Sequence, residues 1–202
     1  MSAELGIRLF NYAVVTDTHV NFGETECNSE FKINQRANGR LRHVIRDLNN
    51  RDVDFVVHLG DIVHPVPAVP DLYEMAAKCF HEQIANLKHP LYLVPGNHDI
   101  GDKPIAWSPG AVACDDYIEL WKKTFGTNYQ FFDHRNCRFF MIDTQIINTE
   151  LAAETEQRNW LEAEMADATK RGMRIFIHTH YPIFLTAPGE DEHFDNLAEP
   201  GR

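Results

Sequence analysis

The sequence predicts an α/β fold whose strands run mainly parallel. Short apolar runs of strand length alternate with helical patterns through the first half of the chain, and polar residues follow nearly every run. Strand and helix in alternation are typical of a sheet with helices packed on its faces. The stretch 129–143 differs, because two aromatic-rich runs flank His134, Arg135 and Asn136. This pattern indicates a hairpin, and so the sheet is expected to be mixed.

The elements follow from the spacing of apolar residues along the chain. The predicted strands, each short enough to be buried, are residues 10–15, 53–59, 91–94, 139–142 and 175–177. Apolar residues at helical spacing predict three helices, through Leu41, Val44, Ile45 and Leu48, through Met75, Ala76, Cys79, Phe80 and Ile84, and through Trp160, Leu161, Met165 and Ala168. The segments 100–114 and 182–202, rich in Pro, Gly and charge, are predicted to be loops.

Composition narrows the class of protein. The 202 residues are 44% hydrophobic, enough for one substantial core, so we expect a single domain over 1–202. The formal charge of −11, without a basic cluster, argues against a nucleic-acid partner. The four cysteines form no CxxC pair and are expected to be reduced. We find neither a signal peptide nor an apolar run of membrane-spanning length, and therefore expect a cytoplasmic protein without a membrane partner.

Potential metal ligands follow the first two strands. Asp17 and His19, in the tripeptide DTH, offer an oxygen and a nitrogen donor to one ion. Asp61, in GDIVH, could give one carboxylate oxygen to each of two ions, as a two-metal centre requires. Either Asp could instead be a simple turn residue. His64, on the same loop as Asp61, is left open between a supporting and a substrate-facing role.

The third and last clear strands end in the same way. The third precedes PGNHD, in which Asn97 adds a neutral oxygen ligand and His98 adjoins the carboxylate of Asp99. The last precedes HTHYP, whose His178 and His180 share one face of the strand. Because His180 lies nearer the strand end, it is the better ligand, whereas His178 could be a core residue. Ligand sites of open α/β sheets lie beyond these strand ends.

The motifs DTH, GDIVH, GNHD and HTHYP, in this order, resemble the calcineurin-like metallophosphoesterase superfamily. The sequence HYPIF at the fourth motif is similar to the branch that contains cyclic-nucleotide phosphodiesterases, acid-phosphatase-like enzymes and small protein phosphatases. The resemblance implies a four-layer α/β/β/α sandwich of two mixed sheets. It also implies an enzyme that hydrolyses phosphate esters, either monoesters or diesters, including phosphoproteins. We expect direct attack of a metal-activated water, because metal ions that flank a phosphate lower the pKa of a bound water toward neutrality.

The resemblance also implies a role for each motif residue. Asp17, His19 and Asp61 would bind one metal ion, and Asp61, Asn97 and His180 a second, the pair being Mn, Fe or Zn in divalent or mixed-valence form. His98 would face the phosphate. Asp99 would orient His98. Cations gathered here would also reconcile an acidic chain with an anionic substrate.

One family motif is missing from the sequence. The family has a downstream Gly-His-x-His motif, and after His180 this chain has only His193, in a different context. We therefore expect a C-terminally incomplete domain that lacks the last strands of one sheet. The loops 22–33, 100–114 and 184–197 are expected to surround the site. The alternative is a non-catalytic binding or regulatory module that keeps the fold.

Overall fold

The structure is a computed structural model that describes residues 6–24, 27, 29, 31–104, 111–197 and 199–201. Its first half alternates strand and helix as predicted. The elements are β1 (Tyr12–Val15), a 3-10 helix (Lys32–Arg36), α1 (Ala37–Leu48), β2 (Phe55–His58), α2 (Pro70–Ile84), β3 (Leu91–Leu93) and α3 (Asn97–Ile100). The second half contains α4 (Asp115–Phe125), β4 (Gln130–His134), β5 (Cys137–Ile142), α5 (Ala152–Lys170) and β6 (Arg174–Thr179).

The first sheet has the order β1-β2-β3, with parallel neighbours throughout. Val15 pairs with His58, and His58 pairs with Leu93, so the three strands end level with one another. The loops after all three strands therefore leave the sheet at one edge.

The second sheet has the order β4-β5-β6 and is mixed, as expected from the hairpin. β4 and β5 are antiparallel, whereas β5 and β6 are parallel. The hairpin turns at Arg135 and Asn136, whose φ angles of 46° and 59° are those of a type I′ turn. The mixed order implied for both sheets is thus seen in the second, while the first has three parallel strands within the described residues.

The layers follow from the alternation of side chains along the central strands. Phe55 and Val57 of β2 pack in one buried cluster with Phe139 and Met141 of β5, which joins the two sheets face to face. The opposite face of β2 is covered by α1 and α2, and Phe140 of β5 contacts Trp160 of α5 on the other outer side. The four-layer α/β/β/α order is therefore confirmed.

The helices bury the predicted faces with one change of detail. In α1 the buried apolar residues include Leu41, Ile45 and Leu48, as the pattern predicts. In α2, Met75 was wrongly placed on the buried face, since its side chain is 48% exposed, and Tyr73 is buried instead. Among the described residues, no helix combines the length and apolarity needed to cross a membrane.

Candidate metal centre

The loops after β1 and β2 lie side by side at the sheet edge. The Asp17 N–H donates to the Gly60 carbonyl at 3.0 Å, and the His19 N–H donates to the Asp61 carbonyl at 2.9 Å. Asp17, His19 and Asp61 all have left-handed backbones, with φ of 54°, 45° and 53°. Such conformations cost free energy in residues other than glycine, and they cluster at functional sites.

Asp61 lies between two histidines from different parts of the chain. One carboxylate oxygen, Oδ2, is 3.5 Å from His19 Nε2, and the other, Oδ1, is 3.5 Å from His180 Nε2. Asp17 Oδ1 approaches the same nitrogen of His19 at 3.7 Å. The ligand atoms of Asp17, His19 and Asp61 are close enough together to hold one metal ion.

His180 and Asn97 complete the other side of Asp61. The His180 Nδ1–H donates to the Leu59 carbonyl at 2.8 Å, so Nε2 of the neutral ring carries a lone pair. This Nε2 lies 3.0 Å from Asn97 Oδ1, besides facing Asp61. Three electron-pair donors that converge in this way fit a cation.

Two glycines allow this close approach of loops. A Cβ atom on Gly60, whose φ is 98°, would lie 2.6 Å from the Gly96 backbone nitrogen and 2.8 Å from His180 Nδ1. A Cβ atom on Gly96 would overlap the backbone nitrogen and the Oδ1 atom of Asp61. The Gly in GDIVH and the Gly in PGNHD are therefore required by packing around Asp61.

His98 lies in the first turn of α3, beside the Asp61 carboxylate. Its backbone N–H donates to Asp61 Oδ1 at 3.0 Å, and its ring centre is 4.8 Å from that of His19. The ring Nδ1 is 2.7 Å from the His64 carbonyl and must donate to it. Its Nε2 therefore stays available for a substrate.

Asp99 does not orient the His98 ring, contrary to the expectation from their adjacency. Its fully buried carboxylate accepts hydrogen bonds from the backbone N–H groups of Gly96, Ile62 and Val63, at 2.8, 2.9 and 3.2 Å. Burial, together with the charge of Asp61, raises the pKa of Asp99 above its usual value, although these three hydrogen bonds act in the opposite direction. Asp99 thus fixes the loop that carries Asp61, and the His64 carbonyl orients His98.

The histidines left open by the sequence have different surroundings. The ring of His64 lies 5.6 Å from that of His19 and 5.2 Å from that of His98, and these three could also hold an ion. Burial lowers the pKa of His64 to about 4, so it is neutral at pH 7. His178 packs between the sheets against the Tyr12 ring. The exposed His193 lies next to Asp195 and outside the cluster.

Sequence reasoning missed His58, which ties the two ligand loops together. The Gly60 N–H donates to His58 Nδ1 at 3.2 Å, so Nε2 carries the proton and donates to Thr18 Oγ1 at 2.9 Å. Thr18 in turn donates to the Ile62 carbonyl at 2.9 Å. Burial lowers the pKa of His58 to about 3, which keeps the ring neutral. The only signal in the sequence was a histidine at the end of an apolar strand.

The electrostatics of the centre favour a positive charge. The nearby His19 lowers the pKa of Asp17 to about 2. Burial lowers the pKa of His19, but Asp17 and Asp61 outweigh burial and raise it above its usual value. A protonated His19 would offset part of the charge of the two carboxylates, as a bound cation would do more fully. The donor set of carboxylate, imidazole and amide groups therefore fits metal ions.

A match to a protein-family model shows which family the chain belongs to. The model of the calcineurin-like phosphoesterase family matches residues 10–199. The chain belongs to this family. It is 28% identical over 185 residues to the serine/threonine-protein phosphatase CPPED1 of Bos taurus, covering 89% of this chain and 55% of the relative. It is 27% identical over 147 residues to the 3',5'-cyclic adenosine monophosphate phosphodiesterase CpdA of Escherichia coli K12, covering 72% and 46%.

Two solved structures share the fold. A dimetal phosphatase from Danio rerio matches with a TM-score of 0.59 and 16% identity, over 87% of this chain and 71% of that one. A purple acid phosphatase from yellow lupin matches with a TM-score of 0.50 and 18% identity, over 88% of this chain and 31% of that one. The chain spans about half the length of the curated relatives that it matches.

Proposed function

We propose that this phosphoesterase-family chain hydrolyses phosphate esters by direct attack of water on phosphorus at a two-metal centre. The observation that carries the proposal is the position of Asp61, whose two carboxylate oxygens face His19 and His180 separately. A carboxylate that faces two ligand sets in this way would be shared by two ions, as a two-metal phosphatase site requires. The curated relatives, named as a phosphatase and a phosphodiesterase, support hydrolysis of an ester.

The proposed ligands divide into two sets that share Asp61. Asp17, His19 and Asp61 would hold one ion, and Asp61, Asn97 and His180 the other. This shell supplies two carboxylates, two imidazoles and one amide, a mixture that suits Mn, Fe or Zn. Because two divalent ions carry more charge than two carboxylates, the centre would attract a phosphate in spite of the acidic chain.

His98 is proposed to contact the substrate. When bound, the ions would supply Lewis acidity and lower the pKa of water toward neutrality. Because Nδ1 of His98 donates to the His64 carbonyl, Nε2 carries a proton only in the imidazolium form of the ring. In that form it would donate to a phosphate oxygen or protonate the leaving oxygen. Asp99 acts one step further away, by fixing the backbone on which Asp61 stands.

Mn-dependent hydrolysis of p-nitrophenyl phosphate and bis-p-nitrophenyl phosphate tests the proposal. Asp61→Ala should lose both turnover and bound metal, because it removes the shared ligand. His98→Ala should keep its metal and lose roughly 10² to 10⁴ in kcat, the usual contribution of a general acid. His43→Ala, on the exposed face of α1, is the matched control and should keep full activity.

The outcomes separate the enzyme from the non-catalytic alternative. Metal binding that depends on Asp61 without turnover of either ester would favour the binding module. Turnover that survives both Asp61→Ala and His98→Ala would place the chemistry elsewhere and contradict the proposal.

A further inference from the structure

A cavity of about 270 Å³ opens directly beside Asn97 and His98. Its other walls include residues of the loop after His64, Tyr117 of α4 and Phe194. In the proposed function, Asn97 holds a metal ion and His98 contacts the phosphate. A group attached to that phosphate would therefore lie next to this cavity.

The walls of the cavity are mainly apolar and aromatic. Val66, Pro67 and Ala68 form one side, and the rings of Tyr117 and Phe194 contribute to the rest. Both aromatic side chains are half-buried. Small-molecule pockets usually combine such apolar walls with a few polar groups, here supplied by Asn97 and His98.

Among the described lining residues none is Lys or Arg, and the one charged side chain is Asp102. The nearby Lys103 is only 2% exposed, and its Nζ donates to the carbonyls of His193, at 2.7 Å, and Asn196. That ammonium also lies 4.9 Å from the centre of the Tyr181 ring. Lys103 thus holds the segment that carries Phe194.

We infer that this cavity binds the organic group of the ester and selects an uncharged aromatic group over an anionic one. The inference rests on the proposed function, because it assigns the phosphate to the neighbouring metal centre. A second phosphate or carboxylate in the cavity would find no Lys or Arg among the described lining residues, and it would lie near the buried carboxylate of Asp102, which accepts a hydrogen bond from the Tyr181 hydroxyl at 2.8 Å. An aromatic ring would instead pack against Tyr117 and Phe194.

Binding of non-hydrolysable phosphonates to the Mn-loaded protein tests this selection without requiring turnover. Calorimetry should show that benzylphosphonate binds about tenfold more tightly than ethylphosphonate, the difference that one aromatic contact typically produces. The acidic 3-phosphonopropionate should bind more weakly than ethylphosphonate. Phe194→Ala and Tyr117→Ala should each reduce the preference for benzylphosphonate. Phe184→Ala, an exposed aromatic residue in the same C-terminal loop region, should leave it unchanged.

Equal affinity for benzylphosphonate and ethylphosphonate would overturn the inference, as would tighter binding of the acidic ligand. A preference that persists in both Phe194→Ala and Tyr117→Ala would also overturn it, because the ring would then bind elsewhere. The proposed function fails in a different way. If benzylphosphonate is preferred but no ester is hydrolysed, the cavity is assigned correctly and the catalytic proposal is wrong.

Discussion

Asp17, His19 and Asp61 combine a polar side chain with a left-handed backbone, a conformation that costs of order 1 to 3 kcal/mol at each non-glycine residue. Backbone hydrogen bonds between the two loops maintain it, through the Gly60 and Asp61 carbonyls. Each side chain leaves its loop in a direction that an ordinary strand or helix would not give. The strain is thus part of how ligand atoms converge.

Gly96→Ala tests how closely the loops must approach. A methyl group at Gly96 would overlap Asp61, so the loop must shift. We expect a loss of about 1 to 3 kcal/mol in the free energy of unfolding, typical of overpacking, together with weaker metal binding. Urea unfolding and metal analysis measure the two effects.

Gly39→Ala is the matched control for that substitution. Gly39 lies within α1, where the nearest atom to an added Cβ is 3.8 Å away on the Arg42 side chain. Alanine should stabilise the helix by about 0.5 to 1 kcal/mol and leave metal binding unchanged. Equal metal affinity in both variants would show that the approach of Gly96 to Asp61 does not shape the centre.

At the scale of elements, three parallel strands that end level with one another bring the residues of the site together. Because Val15, His58 and Leu93 lie level in the register, the loops after β1, β2 and β3 emerge together. His58, the last residue of β2, then links the first two loops through Gly60 and Thr18. The sheet sets the coarse position of the ligands, and His58 contributes to the fine position.

His58 also predicts a pH dependence of stability. Its pKa is lowered from the usual 6.5 to about 3 by burial, so between these values the unfolded chain binds one more proton than the folded chain. Stability contributed by neutral His58 is therefore present above pH 6.5 and lost as the pH falls toward 3. His58→Gln, which keeps an amide donor but cannot titrate, should reduce the slope of unfolding free energy against pH by about one proton.

The control for that experiment is His43→Gln on the exposed face of α1. It should leave the slope between pH 4 and 6 close to that of the unsubstituted chain. Identical slopes for His58→Gln and the unsubstituted chain would mean that His58 titrates normally in the folded state. Metal-free protein is required, since bound ions would add their own proton linkage.

At the scale of the whole molecule, the packing of the two sheets against each other holds the loops of the site in position. Phe139 of β5 lies at the centre of that contact, with ring centres of Phe55 and Phe176 at 5.0 and 4.7 Å. The loops carrying Asp61 and His180 come from different sheets, so their separation depends on this interface. Sheet packing therefore determines whether His180 reaches Asp61.

Phe139→Ala should lower the free energy of unfolding by about 3 to 5 kcal/mol, since it removes a fully buried ring from the inter-sheet core. Phe31→Ala is the control, because that ring is largely exposed and its loss should cost little. Urea unfolding measures both. A small effect of Phe139→Ala would mean that the sheets are not held by this cluster.

The fold was predictable from the alternation of strands and helices, and the candidate ligands lie close together because parallel strands end at one edge of a sheet. Their role as metal ligands stays a prediction. The role of Asp99 was not predictable, because neighbouring residues of a helix such as α3 point about 100° apart, so adjacency to His98 did not imply contact. The role of His58 and the exposure of Met75 depend on which face of each element packs against the core. Short apolar patterns in the sequence do not determine that face. The single domain and the cytoplasmic location stay predictions.

The central claim is that Asp61 joins two metal ions, and electron paramagnetic resonance of the Mn(II)-loaded protein tests it most directly. If Asp61 joins two ions as proposed, the protein should bind two Mn(II) per chain with an exchange-coupled spectrum, and Asp61→Ala should lose the coupled signal. A spectrum of isolated ions at full loading would contradict it. So would a coupled spectrum that is unchanged in Asp61→Ala.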